Sequence, residues 1–159
     1  MPGIDFFVRL SNPFIKLILR SPLHRLISGN ILLITYTGRR SGKPFTTPVN
    51  YMRSGDLLRV VSFRQRRWWR NLRNGAPVEL RLAGQDLAAW AEVIEGCQEV
   101  AEELISMTTQ NPAYGRFLNV SQEPAGTIDR DAARQSAESR VVVVIKPGKK
   151  SARVMQAGD

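Results

Sequence analysis

The sequence predicts a single α+β domain that is mainly β, a six-stranded antiparallel barrel or sandwich with helices at its N-terminus and periphery. A length of 159 residues fits one domain, and a hydrophobic fraction of 43% is enough to build its core. Segments typical of strands dominate the middle of the chain, and few segments there are typical of helices. This balance favours a barrel or sandwich over a parallel α/β sheet.

Six segments have the β-branched and aromatic character of strands and are mostly bounded by turn residues. They are residues 31–37, 45–52, 57–63, 78–82, 87–94 and 140–146. Pro48 lies within the second segment and places it at an edge or a bulge, because proline cannot donate to a ladder. Residues 53–56 predict a hairpin turn, and the valine-rich sixth segment is expected to close the sheet.

Four further segments predict helices. Two short amphipathic helices begin at Asn12-Pro13 and at Ser21-Pro22 and end by Gly29. Residues 68–74 suit a short helix ended by a glycine, and residues 98–107 suit a longer helix with an acidic first turn. The chain is therefore divided into an N-terminal amphipathic segment (1–29), the barrel domain (30–146) and a flexible basic tail (147–159).

The composition excludes several classes of chemistry. Cys97 is the only cysteine, so the chain has no internal disulfide and no cysteine cluster for a metal, and a reducing, cytoplasmic location is expected. His24 is the only histidine and lies in an amphipathic stretch, where a structural or surface role is favoured over catalysis. No metal site is predicted. Charged residues interrupt the apolar N-terminus, which argues against a membrane span.

The charge indicates an anionic partner. There are 23 Lys and Arg against 14 Asp and Glu, which gives a net charge of +9 and a pI near 10.6. Three classes of partner would be attracted to this positive charge: nucleic acid, an anionic membrane surface and a polyanionic cofactor. The basic amphipathic N-terminus is suited to peripheral contact with such a membrane.

One basic turn, Gly38 to Lys43, has the composition of a phosphate site. It reads Gly-Arg-Arg-Ser-Gly-Lys, and Thr46 and Thr47 follow it. Its backbone N–H groups, hydroxyls and guanidinium groups could converge on one phosphate. The alternative is an exposed hairpin whose cations are merely solvated. The turn lacks the ending of a Walker loop, so nucleotide hydrolysis has little support.

A second basic cluster, residues 64–73, surrounds the adjacent Trp68 and Trp69 with arginines. Arginine mixed with aromatic residues could bind single-stranded nucleic acid, although no named recognition motif is present. The cluster could equally bind the charged tail of a cofactor. On a helix starting near Trp68, one tryptophan can enter the core while the other points toward a pocket, and packing in the core alone is the alternative.

The order of these motifs resembles the deazaflavin-dependent nitroreductase family. The resemblance runs from about residue 21 to residue 82 and rests on Thr-Gly-Arg-Arg-Ser-Gly-Lys-Pro (37–44), Thr-Thr-Pro (46–48), Gly-Asp (55–56) and Trp-Arg-Asn-Leu (69–72). It implies a split β-barrel of the FMN-binding type. It also implies coenzyme F420, an 8-hydroxy-5-deazaflavin with a phosphate and an oligoglutamate tail, which delivers hydride to a quinone, a nitroaromatic compound or an enone.

The resemblance also implies the cofactor contacts. The turn would hold the phosphate or tail, residues 46–49 would line the ring system, and residues of the second cluster and the preceding strand would complete the wall. The cofactor-binding set is Arg39, Arg40, Ser41, Gly42, Lys43, Thr46, Thr47, Pro48, Val49, Ser62, Phe63, Arg64, Trp68 and Asn71. Residues 63–67 depart from the family, whose members often have a longer glycine-rich loop there, so FMN stays as an alternative cofactor.

A proton must reach the reduced substrate, and three tyrosines are candidate donors. They are Tyr36, Tyr51 and Tyr114, alongside solvent. We select Tyr114, in the loop predicted at residues 111–115, as the catalytic candidate; the alternative is a loop tyrosine that serves only packing. A non-catalytic carrier of a lipid or hydrophobic ligand on the same barrel is the main alternative function, since some members of the family bind other ligands. The related flavin oxidases are commonly dimers, so a homodimer is also expected.

Overall fold

The computed structural model describes residues 30–150, with side chains to residue 148. The helices predicted within residues 1–29, the lone histidine there and the end of the predicted tail, 151–159, lie outside the described residues. Among the described residues, no helix is long and apolar enough to cross a membrane.

The described chain forms one antiparallel sheet of seven strands that curls into a half-barrel. The strands are β1 (Ile31–Thr37), β2 (Pro44–Asn50), β3 (Met52–Ser54), β4 (Leu57–Phe63), β5 (Ala76–Leu82), β6 (Gln85–Ile94) and β7 (Arg140–Lys150), in the order β2-β1-β5-β6-β7-β4-β3. The helices are α1 (Cys97–Gln110), α2 (Ala113–Leu118) and α3 (Arg130–Ala137), and a short 3-10 helix covers Trp68–Leu72.

The prediction of six strands was wrong by one, because the predicted segment 45–52 divides into β2 and β3. Between them, the Tyr51 N–H donates to the Asn30 carbonyl at 2.9 Å. The chain thereby leaves the edge beside β1, and β3 pairs with β4 at the opposite edge of the sheet. Pro48 lies in an edge strand, as predicted.

The last strand is longer than predicted. β7 continues to Lys150, and Pro147 pairs with Ala89 and Lys150 with Leu87 across a register shift in β6. The prediction of a flexible tail from residue 147 was therefore wrong for residues 147–150. The ten-residue β6 supplies hydrogen-bonding partners beyond the apolar run, so polar residues of β7 join the sheet.

The sheet buries both of its faces, and β7 shows this most directly. Val141, Val143 and Ile145 pack in an inner core with residues of β1, β4 and β5 and the two tryptophans of the 3-10 helix. Val142 packs in an outer core with the buried faces of α1 and α3. The unbroken apolar run of β7 follows from this, because alternate residues of a strand point to opposite faces.

Two of the helices were not predicted. α3 is capped by Asp129, whose side chain accepts hydrogen bonds from the N–H groups of Asp131 and Ala132, both at 3.0 Å. α2 has only six residues and begins within the loop that we predicted at residues 111–115. Segments this short carry too little periodicity to be recognised, and contact with α1 and β7 supplies most of their stability.

Candidate functional site

The basic turn joins β1 to β2 at one end of the sheet and is closed by its own backbone. The Gly38 N–H donates to the Lys43 carbonyl at 2.8 Å, and the Gly42 N–H donates to the Gly38 carbonyl at 2.8 Å. Gly42 has φ +66°, and a Cβ at Gly38 would lie 2.7 Å from both the Phe45 ring and Ser41 Oγ. Gly42 is therefore required by the backbone conformation of the turn, and a side chain at Gly38 would displace Phe45 and Ser41.

The groups that the turn leaves free suit an anion. Among the described residues, the backbone N–H groups of Arg40 and Ser41 have no acceptor, and the side chains of Arg40 and Lys43 are exposed without an ionic partner. Ser41 Oγ accepts from the Lys43 N–H at 3.2 Å, which leaves the hydroxyl proton available. This donor set, two cations with backbone and hydroxyl donors, fits a phosphate ester.

Arg39 has a different environment from its neighbour, because it ties the turn to the 3-10 helix. Its backbone N–H donates to Asn71 Oδ1 at 3.0 Å, and its guanidinium donates to the Arg73 carbonyl. Asn71 Nδ2 in turn donates to the Trp68 carbonyl at 3.0 Å. The structure thus brings the two predicted basic clusters together, although they are about thirty residues apart in sequence.

Both tryptophans of the second cluster are buried. Trp68 Nε1 donates to Ser62 Oγ at 3.1 Å, and Trp69 Nε1 donates to the Phe63 carbonyl at 3.1 Å. Of the two placements that the sequence left open, the structure shows core packing for both rings. On the 3-10 helix both rings, with Leu72, pack into the inner core at this end of the sheet, and their indole N–H groups find partners on β4.

An aromatic group lies beside the turn. The rings of Tyr36 and Phe45 stack with centroids 6.0 Å apart, and the Trp68 ring lies 6.1 Å from that of Tyr36. Burial raises the pKa of Tyr36, and its hydrogen bond to Thr47 partly offsets this. Phe45 remains 43% exposed, so an apolar surface adjoins the free donors of the turn.

The residues predicted to line a ring system alternate along β2. Thr46 Oγ1 lies 2.8 Å from Thr35 Oγ1 on the outer face, whereas Val49 belongs to the inner core. Thr47 and Val49 therefore point to one face and Thr46 and Pro48 to the other. A planar ligand on either face could meet the side chains of only two of these four residues.

Arg64 and Phe63 are placed farther along the same end of the sheet. Arg64 donates to the Glu95 carbonyl at 2.5 Å and to the Ala137 carbonyl at 3.4 Å, so this guanidinium fastens β4 to the segments around it. Phe63 is 41% exposed, and the Arg140 guanidinium lies 5.0 Å from its ring centroid. Burial lowers the pKa of Arg140. Nothing in the sequence indicated that Arg140 would lie here.

The remaining arginines of the second cluster divide into paired and exposed side chains. Arg73 forms two hydrogen bonds with the Glu95 carboxylate, at 2.7 and 2.9 Å, and the guanidinium lowers the pKa of that carboxyl group. The guanidinium groups of Arg70 and Arg73 also lie over the Trp69 ring. Arg66 and Arg67 are exposed and have no side-chain partner in the part of the chain that the structure describes.

Tyr114 lies in the first turn of α2 rather than in a loop, and the structure does not bring it to the basic turn. Its hydroxyl donates to the Tyr51 carbonyl at 2.9 Å, and both residues line an open cavity of about 390 Å³ together with Arg53. Burial, followed by the effect of Tyr51, raises the Tyr114 pKa. Tyr51 follows the far end of β2, so the seven-residue β1–β2 hairpin, roughly 20 Å long, separates this cavity from the turn.

The described residues contain no group of three or more His, Cys, Asp or Glu side chains that could hold a metal ion. Cys97 is exposed at the start of α1. The candidate site is therefore built from cations, hydroxyls, backbone N–H groups and aromatic rings.

Comparison with known proteins identifies one family. Residues 21–123, almost two thirds of the chain, match the family model described as F420H(2)-dependent quinone reductase. The matched segment includes the basic turn, the 3-10 helix and α2. No curated protein matches the chain.

Several solved structures match most of this chain at low sequence identity. The FAD and heme binding protein from Mycobacterium smegmatis is 17% identical, with 88% of this chain and 79% of that chain covered and a TM-score of 0.46. A protein described as an F420 reductase is 14% identical, with 84% and 93% covered and a TM-score of 0.43. An F420-H2 dependent reductase (FDR-A) is 16% identical, with 73% and 94% covered and a TM-score of 0.41.

Proposed function

Because the chain belongs to the F420H2-dependent quinone reductase family, an enzyme family, we propose that it binds reduced coenzyme F420 and reduces an electron-poor small molecule. Suitable acceptors are a quinone, a nitroaromatic compound or an enone. The single observation that carries the proposal is the set of free donors on the basic turn, next to the exposed ring of Phe45. A phosphate joined to an aromatic ring system would place its phosphate against the donors of the turn and its rings beside Phe45.

The turn would bind the phosphate. The N–H groups of Arg40 and Ser41, the Ser41 hydroxyl and the Arg40 and Lys43 side chains are all available to its oxygens. Arg66 and Arg67 are exposed cations of the second cluster whose guanidinium groups could donate to the carboxylates of the tail. These contacts are charge-assisted hydrogen bonds, which are stronger than neutral ones.

The ring system would lie along β2. This strand is the last one at one side of the sheet, so only β1 pairs with it among residues 30–150. Residues 46–49 alternate between faces, so β2 can offer a planar ligand either Thr47 and Val49 or Thr46 and Pro48, but not all four side chains. When bound, the reduced coenzyme supplies the hydride, and the protein supplies binding, orientation and exclusion of water.

Tyr114 is our candidate for the proton donor to the reduced substrate. A tyrosine is protonated at neutral pH at its ordinary pKa, and burial raises the pKa of Tyr114 further. Its side chain lines a cavity large enough for a small aromatic molecule. The phenolic proton is engaged with the Tyr51 carbonyl, so its transfer would require the hydroxyl to turn toward the substrate. Tyr36, the other candidate near the turn, is buried beneath Phe45.

Titration of the purified protein with F420 and with FMN, followed by fluorescence, tests the proposal. We expect saturable binding of F420 and oxidation of the reduced coenzyme when a quinone is added. Binding of FMN but not of F420 would identify the cofactor as a flavin rather than a deazaflavin. Retained acyl chains in a solvent extract, with no affinity for either coenzyme, would instead identify a hydrophobic-ligand carrier.

A further inference from the structure

Asn71 occupies a bridging position that its role as a predicted cofactor contact does not explain. Both ends of its carboxamide are already engaged within the protein. Oδ1 accepts the Arg39 N–H at 3.0 Å, and Nδ2 donates to the Trp68 carbonyl at 3.0 Å. Its polar atoms therefore face the turn on one side and the 3-10 helix on the other.

The helix end of this bridge is firmly anchored. Trp68 is 7% exposed, its indole N–H donates to the buried Ser62 hydroxyl, and its ring packs beside Tyr36 in the inner core. Asn71 thus holds the turn against a part of the molecule that is fixed by packing. Buried, fully hydrogen-bonded side chains have little freedom to shift.

The turn end of the bridge determines which backbone donors remain free. The N–H groups of Gly38 and Gly42 are used within the turn, and that of Lys43 is used by Ser41 Oγ. Asn71 takes the N–H of Arg39. The two N–H groups that remain are the consecutive ones of Arg40 and Ser41, beside the free cations.

We propose that Asn71 is a positioning residue, which orients the Arg40–Ser41 segment for an anion by accepting the Arg39 N–H while anchored on the Trp68 carbonyl. This inference rests on the proposed function, because it assigns the anion as the phosphate of the coenzyme. Asn71 itself need not touch the ligand. Its loss removes the backbone hydrogen bond between the turn and the 3-10 helix and leaves only the Arg39 side-chain contact to the Arg73 carbonyl, so the two free N–H groups can rotate away from a common target.

The test compares the full coenzyme with its phosphate-free deazaflavin precursor. In Asn71→Ala, we expect the Kd for F420 to rise about tenfold, the scale of one charge-assisted hydrogen bond. The Kd for the phosphate-free form should not change, because the turn contacts only the phosphate. Gln65→Ala, an exposed amide in the adjacent loop, is the matched control and should leave both values unchanged.

The outcomes separate a positioning role from the alternatives. An unchanged Kd for F420 in Asn71→Ala would overturn the inference, and an equal loss for both ligands would show that Asn71 only maintains the fold. Should Asn71→Ala fail to fold, Asn71→Ser supplies the same comparison with a shorter polar side chain that spans neither hydrogen bond. A wild-type protein that binds neither deazaflavin would refute the proposed function itself, and the wild-type titration identifies that case.

Discussion

The clearest test of the basic turn is the contrast between its two adjacent arginines. Arg40 is exposed and has no side-chain partner among the described residues, whereas the Arg39 guanidinium donates to the Arg73 carbonyl. We therefore expect Arg40→Ala to weaken coenzyme binding without lowering the melting temperature. Arg39→Ala should lower the melting temperature and weaken binding as well.

The expected magnitudes follow from these contacts. A hydrogen bond to a charged group contributes roughly 1.5–3 kcal/mol, and solvent screening of an exposed side chain places Arg40 at the lower end. About 1.4 kcal/mol corresponds to a tenfold rise in Kd. Loss of the Arg39 hydrogen bond should cost about 1 kcal/mol, which lowers the melting temperature of a chain of this size by roughly 2–4 °C.

Fluorescence titration with F420 and thermal melts of both variants supply the two measurements. Arg116→Ala is the matched control, because Arg116 is an exposed arginine in α2, away from the turn. Raising the salt concentration should weaken coenzyme binding more in the wild type than in Arg40→Ala, since the variant lacks one screened charge. Wild-type affinity in both turn variants would refute this assignment. An equal loss in Arg116→Ala would show that net charge, rather than the turn, determines binding.

Two further predictions concern tyrosines. Tyr114→Phe removes the hydroxyl that donates to the Tyr51 carbonyl. We expect kcat with a quinone to fall at least tenfold and the Kd of the coenzyme to stay unchanged, because a positioned general acid contributes a factor of about 10²–10⁴ to the rate. An unchanged kcat would mean that solvent supplies the proton. Burial raises the pKa of Tyr36 in the folded state above its ordinary value of 10.0. Above about pH 10, Tyr36 ionises in the unfolded state while it stays protonated in the folded state. The free energy of unfolding should therefore fall as the pH rises above about 10. Denaturant titrations from about pH 8 to pH 11 should show a smaller fall in Tyr36→Phe, and equal falls would contradict the assignment.

Local patterns in the sequence predicted most of the strands and the composition of the site. β-branched runs placed β1, β4 and β6 to within two residues, and the glycines of the turn marked its position. The division of 45–52 into two strands could not be predicted, because it depends on a hydrogen bond from Tyr51 to Asn30 and on pairing at opposite edges of the sheet. The extension of β7 similarly depends on the length of β6.

The sequence by itself determined that a turn rich in cations, glycines and a hydroxyl lies between two strands, since residue types and their spacing are written there directly. Only the tertiary structure decided how those groups are used. Arg39 is engaged by the 3-10 helix through Asn71 and the Arg73 carbonyl, while Arg40 remains free for a ligand. The two arginines are equivalent in composition and differ only in what folding places beside them. Hydrogen bonds between segments about thirty residues apart depend on the packing of the whole sheet end, and no local pattern encodes that packing.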